Sequence, residues 1–189
     1  LAHDVTLALD DPLHVGLDTG EDVCPRLRLT QRHPVEARGS ARTMAGVTTV
    51  LAVDIGGTKM AAGLVTADGR LHGARRVATP ASLDGEAVFT ALGTLVDEVL
   101  AHGQDEGDRP VACGVGCGGP MARGGETVSP LNIAGWRAFP LRARLAERTG
   151  VPTFVDNDAK ALALGEGWTG AAAGERDFLA MVVSTGVGG

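Results

Sequence analysis

The most informative stretch of the chain is VLAVDIGGTK, residues 50–59, in which an apolar β-type run ends abruptly in a carboxylate, two glycines and a hydroxyl. Glycines let backbone N–H groups approach anionic oxygens closely, and the hydroxyl of Thr58 adds a donor. Asp54 stands at the strand end, where a carboxylate can hold a hydrated Mg²⁺. The stretch predicts a phosphate-binding turn, in which a branched side chain at Gly57 would occupy the space that phosphate oxygens need. An ordinary strand followed by a tight turn is the alternative.

The residues after this turn continue the same pattern. MAAGLV at 60–65 resumes a strand, and ADGR at 67–70 carries the Asp-Gly signature of a hairpin turn. A strand, a glycine turn and a second strand form a β-hairpin cradle. A Walker-type phosphate loop is different, because it needs Gly-x-x-x-x-Gly-Lys-Ser/Thr leading into a helix.

Periodicity predicts the other elements. From about Leu83 to His102, apolar residues recur at spacings of three and four, which is typical of an amphipathic helix. The predicted strands span residues 49–54, 60–66, 70–77, 110–116, 152–155 and 180–183, and the remaining predicted helices span 141–148 and 157–171. Three strands followed by alternating helices and strands are the order of a ribonuclease H-like lobe of the actin type. Such a lobe is an α/β unit with a mixed sheet and flanking helices.

Three polar residues, Asp156, Asn157 and Asp158, follow the predicted strand 152–155 and open a helix. The helix dipole favours a carboxylate at this position. Capping is the alternative role, since Asp and Asn are both good N-cap residues. Three polar residues at one strand end exceed what capping needs, so Asp158 is the leading candidate for a catalytic residue.

The stretch GVGCGG at 114–119 formally satisfies Gly-x-Gly-x-x-Gly, which raises the possibility of a dinucleotide site. Its context does not fit, because a Rossmann turn opens a helix and has an acidic residue about 20 positions on, whereas here Pro120 follows directly. A flexible glycine linker is the alternative. If the loop faces a ligand, Gly118 and Gly119 would allow close backbone approach to it.

Five segments in order carry a family resemblance: DIGGTK at 54–59, GVGCGGP at 114–120, SPLNIAGW at 129–136, VDNDA at 155–159 and STGVGG at 184–189. They resemble, respectively, a first phosphate motif, a glycine-rich strand end, a sugar-side loop, a catalytic Asn-Asp element and the start of a second phosphate motif. Together these are similar to the ROK family, named for repressors, open reading frames and sugar kinases, within the actin-like and hexokinase-like ATPases. Each segment alone is a weak signal, but five in the right order are hard to obtain by chance.

The resemblance implies ATP-dependent, Mg²⁺-dependent phosphorylation of a hexose by a glucokinase-like enzyme. Asp158 would be the general base. Sugar-binding residues would be Asn157, Asn132, Gly118 and Gly119. ATP-binding residues would be Asp54, Gly56, Gly57, Thr58, Lys59, Thr185 and Gly186, and Asp54 would hold the metal through water. Which sugar is phosphorylated stays open, and two other interpretations stand beside the kinase: a sugar-sensing transcriptional regulator without kinase activity, and a nonfunctional fragment.

The chain divides into three parts. Residues 1–43 show no sustained period and are expected to be disordered or an upstream extension before Met44, residues 44–175 form the first lobe, and 176–189 begin a second lobe. The resemblance implies that the rest of the second lobe, with a sugar clamp and a zinc-binding cysteine cluster, falls beyond Gly189. The zinc site is therefore expected to be absent from this chain, and the chain alone is expected to be inactive.

Composition limits the partners. The net charge of −6 disfavours a general nucleic-acid or anionic-membrane surface, and no apolar run approaches the roughly 20 residues of a membrane span. A cytoplasmic protein is expected, with sugar and ATP as its small-molecule partners. The resemblance adds a homo-oligomer. The three cysteines, Cys24, Cys113 and Cys117, are expected to be reduced structural thiols, since no His-Cys cluster surrounds them.

Overall fold

The computed structural model describes residues 48–183 and 187–188, with side chains described as far as Met181. The predicted N-terminal segment 1–43 lies outside the described residues. Two of the predicted ATP-binding residues, Thr185 and Gly186, lie outside them as well.

A five-stranded sheet forms the centre of the lobe, in the order β3-β2-β1-β4-β5. β1 pairs antiparallel with β2 and β2 with β3, whereas β1, β4 and β5 run parallel. The strands are β1 Thr48–Ile55, β2 Lys59–Thr66, β3 Leu71–Ala78, β4 Arg109–Cys117 and β5 Thr153–Asn157. The sheet is therefore mixed, and the predicted α/β lobe of the ribonuclease H-like type is confirmed.

Three helices flank the sheet: α1 Gly85–Glu106, α2 Leu141–Thr149 and α3 Asp158–Trp168. α1 begins where the side chain of Asp84 accepts a hydrogen bond from the backbone N–H of Glu86, and it ends at Gly107, whose φ of 81° is left-handed. The prediction placed both ends of this helix too early. Helix 157–171 was predicted too long, because Thr169 is already the C-cap.

The two faces of the sheet bury different helices. On one face the apolar stripes of α1 and α2 pack against alternate residues of the strands, among them Leu51, Val53 and Ile55 of β1. On the opposite face Trp168 of α3 packs with a smaller group: Ala52, Val65 and Leu71. Asp54 alternates with Val53 and Ile55 and thus belongs to the α3 face.

The end of the described chain differs from the prediction. The strand predicted over 180–183 is reduced to β6 Val182–Val183, which pairs antiparallel with β7 Val187–Gly188. Between α3 and β6 the chain makes turns and irregular structure. Phe178, Leu179 and Met181 expose their side chains there.

Candidate active site

The carboxyl ends of the parallel strands bring the predicted site residues to one edge of the sheet. Asp54 of β1 is the register partner of Gly116 of β4, and Gly116 is the partner of Asp156 of β5. Asp158 follows directly as the first residue of α3. Ligands of open α/β sheets bind outside this edge, so the position suits a site.

Gly116 lets two carboxylate-bearing residues come together. A Cβ at this position would lie 3.6 Å from the Cα of Asp158 and 3.8 Å from Oδ1 of Asp54. With no side chain between them, the carboxyl group of Asp54 and the start of α3 are close neighbours. The structure thus brings Asp54 and Asp158 into one electrostatic unit.

Burial and this neighbour both act on Asp54. Its pKa is raised from 3.8 to about 6, first by burial and next by the negative charge of Asp158, while Lys59 and the backbone N–H of Ile55 partly offset the rise. A carboxylate is costly in such a place unless a positive charge faces it. The arrangement therefore suits a cation.

Asn157, and not Asp158, caps the helix α3. The Oδ1 atom of Asn157 accepts hydrogen bonds from the backbone N–H groups of Ala159, at 3.1 Å, and Lys160, at 3.4 Å. Asp156 forms an ion pair with the Lys160 side chain. Asp158 is exposed, and its Oδ1 also accepts a hydrogen bond from the Ala159 N–H, at 2.9 Å, whereas its Oδ2 lies nearest to Gly118.

The predicted phosphate turn connects β1 and β2. Within it the N–H of Gly56 donates to the carbonyl of Lys59 at 3.0 Å. Thr58 is exposed, whereas Lys59 is half-buried. Outside the turn, Thr79 makes two hydrogen bonds to it: its N–H donates to the Thr58 carbonyl at 3.0 Å, and its hydroxyl donates to the Gly56 carbonyl at 2.7 Å.

Gly57 packs against the predicted sugar-side loop. A Cβ built on Gly57 would overlap the Cβ of Asn132, at a separation below the 3.0 Å that Cβ atoms essentially never breach, and would lie 3.2 Å from its Cγ. The expectation that a side chain at Gly57 would compete with phosphate oxygens was wrong about what fills that space, because Asn132 occupies it. The phosphate turn and the sugar-side loop are therefore in direct contact.

The sugar-side loop is anchored by aromatic packing. Trp136 is fully buried, stacks on Phe139 with ring centroids 4.6 Å apart, and donates its Nε1–H to the Gly85 carbonyl at 3.0 Å. The ring of Trp136 therefore packs inside the protein and does not face the site. Asn132 of the same loop is exposed.

Open space lies beside the carboxylate of Asp158. A Cβ at Gly118 would meet only Oδ2 of Asp158 and the Cβ of Pro130 within 4.0 Å, and one at Gly119 only the backbone nitrogen of Met121, at 3.9 Å. The dinucleotide interpretation of this stretch fails, because β4 continues to Cys117 and no α-helix opens there. The two glycines border the space into which Asp158 projects.

Two site residues were missed by sequence reasoning. Thr79 follows a predicted strand and precedes Pro80, a context that any turn shares, so its link to the phosphate turn had no signal beyond a hydroxyl at a strand end. Gly116 stood in the motif that was tested for dinucleotide binding. Only the register of β1, β4 and β5 gives it a role.

Among the described residues, no group of three or more His, Cys, Asp or Glu side chains could hold a metal by itself. Cys113 and Cys117 are buried free thiols, and burial raises the pKa of each to about 12. Over the described residues, no helix is both long enough and apolar enough to cross a membrane.

Comparison with known proteins places the chain in a family. The sequence model of the ROK family matches residues 50–189. An N-acetylmannosamine kinase of Shigella flexneri is 42% identical over 146 residues, which cover 75% of this chain and 46% of that relative. The chain thus spans about half the length of the curated relatives it matches.

Two solved structures share the fold at substantial identity. A ROK family glucokinase from Streptomyces griseus, in complex with glucose and AMPPNP, gives a TM-score of 0.65 at 37% identity, covering 74% of this chain and 43% of that one. A ROK hexokinase from Thermus thermophilus gives a TM-score of 0.65 at 41% identity, covering 74% of this chain and 45% of that one. With the family model matched from residue 50 to residue 189, this chain belongs to the ROK family.

Proposed function

We propose that the protein transfers the γ-phosphoryl group of ATP to a hydroxyl group of a hexose. The observation that carries the proposal is the approach of Asp158 to Asp54 across Gly116, at the sheet edge that also holds the glycine turn. Phosphoryl transfer needs a phosphate-binding element on one side of the reacting atoms and a group that orients the nucleophile on the other. The turn after β1 and the start of α3 supply these two sides.

Asp158 acts as the general base. Its carboxylate accepts the proton of the sugar hydroxyl as the hydroxyl oxygen bonds to the γ-phosphorus, while the bond from that phosphorus to its bridging oxygen breaks and ADP leaves. A positioned base contributes about 10²–10⁴-fold in rate. Asn157 uses Oδ1 for capping, so its amide nitrogen is the group for a sugar hydroxyl. Asn132, Gly118 and Gly119 border the sugar.

The turn binds the phosphates of ATP. The Gly56 carbonyl is held by Thr79, and because a trans peptide directs its N–H opposite to its C=O, the N–H of Gly57 points away from Thr79. This N–H, the hydroxyl of Thr58 and the ammonium of Lys59 are the donors we assign to phosphate oxygens. Thr185 and Gly186 complete the set in this proposal.

The carboxylate of Asp54 suits Mg²⁺. Burial and the neighbouring Asp158 oppose the charge of Asp54, Lys59 offsets this only in part, and carboxylate with water is the coordination that Mg²⁺ accepts in nucleotide sites. When bound, Mg²⁺ would neutralise phosphate charge during transfer. Asp54 would hold it through water.

Two names among the relatives suggest which sugars to test: one is an N-acetylmannosamine kinase, and one is a glucokinase bound to glucose. The competing function is sugar sensing without transfer, as in a regulator. Sensing requires neither a base nor a phosphate turn, and this chain retains Asp54, Gly57, Thr58 and Asp158, which would supply them. This favours the kinase.

The test is hexose-dependent ADP release by the complete gene product, with glucose and N-acetylmannosamine as parallel acceptors. Asp158→Asn should lower kcat at least 10²-fold while sugar affinity stays within a few-fold, because the amide keeps hydrogen bonding and loses basicity. Asp156→Asn is the matched control, since that carboxylate pairs with Lys160 two residues from the proposed base. Turnover of Asp158→Asn close to wild type would remove Asp158 as the base. A wild-type protein that binds sugar and releases no ADP would favour the sensor.

A further inference from the structure

An internal hydrogen bond, from the N–H of Gly56 to the carbonyl of Lys59 at 3.0 Å, closes the phosphate turn, but it does not involve the peptide group that joins Gly56 to Gly57. Between the register pair Ile55 and Met60, the turn includes two adjacent glycines, which are the residues with the greatest backbone freedom. A site that binds an anion through backbone N–H groups works best when those groups are already aimed. The Gly56–Gly57 peptide therefore needs support from outside the turn.

Thr79 provides that support from the end of β3. In the antiparallel pairing of β2 with β3, Lys59 faces Ala78, so Thr79 lies beside Thr58 and donates its N–H to that carbonyl at 3.0 Å. Its hydroxyl reaches two peptide groups further, to the Gly56 carbonyl at 2.7 Å. A single residue thus fixes two alternate peptide planes of the turn.

The backbone bond and the hydroxyl bond have different consequences. The N–H bond continues the β-ladder and survives any substitution that keeps the strand. The hydroxyl bond is made by the side chain alone and sets the plane of the Gly56–Gly57 peptide, whose N–H points to the opposite side. Loss of the hydroxyl would free that plane to rotate and leave the Gly56 carbonyl without this partner.

We infer that Thr79 is a positioning residue for nucleotide binding, acting through its hydroxyl on the Gly56–Gly57 peptide. The inference rests on the proposed function, because it takes the turn to be the phosphate site. Thr79 contacts the phosphate turn, so its loss should lower the affinity for nucleotide and leave the affinity for sugar unchanged.

The experiment compares four variants of the complete gene product. Thr79→Val keeps the side-chain shape and the backbone N–H but loses the hydroxyl. Thr79→Ala also keeps the N–H and loses the hydroxyl, and it is used if the valine variant fails to fold. Thr79→Ser keeps the hydroxyl. Thr149→Val is the matched control: its half-buried hydroxyl also donates to a backbone carbonyl, that of Leu145 at 2.8 Å, at the end of α2 that precedes β5 and lies away from the site. Steady-state KM and kcat are measured for both substrates. The affinity for Mg²⁺-AMPPNP is measured by calorimetry, and the Tm of each variant is recorded.

Loss of one hydrogen bond predicts that Thr79→Val raises the Kd for Mg²⁺-AMPPNP and the KM for ATP about five-fold, with the sugar KM within two-fold. Thr79→Ser should match wild type, and Thr149→Val should lower Tm without moving either KM. Unchanged nucleotide affinity in Thr79→Val and Thr79→Ala would overturn the inference alone, as would equal losses for both substrates. A wild-type protein that neither binds Mg²⁺-AMPPNP nor releases ADP would instead overturn the proposed function, and the inference with it.

Discussion

Replacing Gly57 with alanine adds one methyl group at the contact between the phosphate turn and the sugar-side loop. The new Cβ would fall on the Cβ of Asn132 and would lie 3.2 Å from its Cγ and 3.3 Å from its backbone oxygen. Carbon atoms in van der Waals contact are about 3.5–4.0 Å apart. Rotation of the Asn132 side chain cannot remove the overlap, because both the Cβ and the backbone oxygen are fixed to the loop. Either the turn or the loop must move.

The cost of that movement sets the expected effect. Overpacking of a filled site costs typically about 1–3 kcal/mol, which corresponds to about 5- to 150-fold in affinity. Because the overlap lies between the two elements, the loss should appear for nucleotide and for sugar together. If Gly57 made room only for phosphate, the loss would be confined to nucleotide.

Calorimetric titration of Gly57→Ala with Mg²⁺-AMPPNP and, separately, with the accepted hexose distinguishes these outcomes. Gly118→Ala is the control for nucleotide, since its Cβ would have no neighbour closer than 4.0 Å and should leave nucleotide affinity unchanged. In the double variant Gly57→Ala with Asn132→Gly, the Cβ that causes the overlap is gone, so most of the nucleotide affinity should return. A nucleotide-only loss that Asn132→Gly does not rescue would refute the reasoning.

Two further predictions concern charge and the thiols. Asp54→Asn should raise the free energy of unfolding at pH 7.5 by up to about 3 kcal/mol, because the folded-state pKa of Asp54 is about 6 instead of 3.8. In urea melts, the wild-type protein should lose stability as the pH rises from about 4 to about 6, and the Asp54→Asn variant should not show this loss. Asp97→Asn, at an exposed ion pair with Arg148, is the control and should keep the wild-type pH dependence. Cys113 and Cys117 should resist iodoacetamide at pH 8 in the native state and react after denaturation, since burial raises the pKa of both thiols to about 12. Peptide mass spectrometry measures the labelling, and native labelling of either thiol would contradict the prediction.

Local signals were enough for much of the fold. The apolar run before Asp54 and the spacing of three and four in α1 predict a strand and a helix without reference to any other part of the chain. The meeting of Asp54 with Asp158 was also within reach, because both stand at the carboxyl ends of strands that share one sheet edge once the strands are parallel. The ends of the helices were less accessible, since α1 holds another glycine, Gly103, shortly before the Gly107 that ends it, and α3 ends at Thr169 without a glycine.

The contacts that shape the turn could not be read from the sequence. Thr79 reaches Gly56 across 23 positions, and Asn132 meets Gly57 from a separate loop, so neither pair shares a local pattern. Each residue also has an adequate local explanation: a threonine ends a strand, a glycine makes a turn, and an asparagine belongs in a loop. Thr79 becomes a neighbour of Gly56 only through the register of β2 with β3, and Asn132 becomes a neighbour of Gly57 only through the position of its loop.

Two unfavourable features of the lobe lie on one segment, from Asp54 to Lys59. Asp54 keeps a carboxylate where burial and Asp158 both oppose its charge, and Gly57 tolerates no side chain against Asn132. Neither feature stabilises the fold without a ligand. An asparagine in place of Asp54 would remove the electrostatic cost, and any side chain in place of Gly57 would overlap Asn132. A segment that retains both is shaped by what it binds more than by stability. A cation facing Asp54 would remove the electrostatic cost, so binding at this turn should stabilise the lobe most at a pH above 6, where the carboxylate is charged.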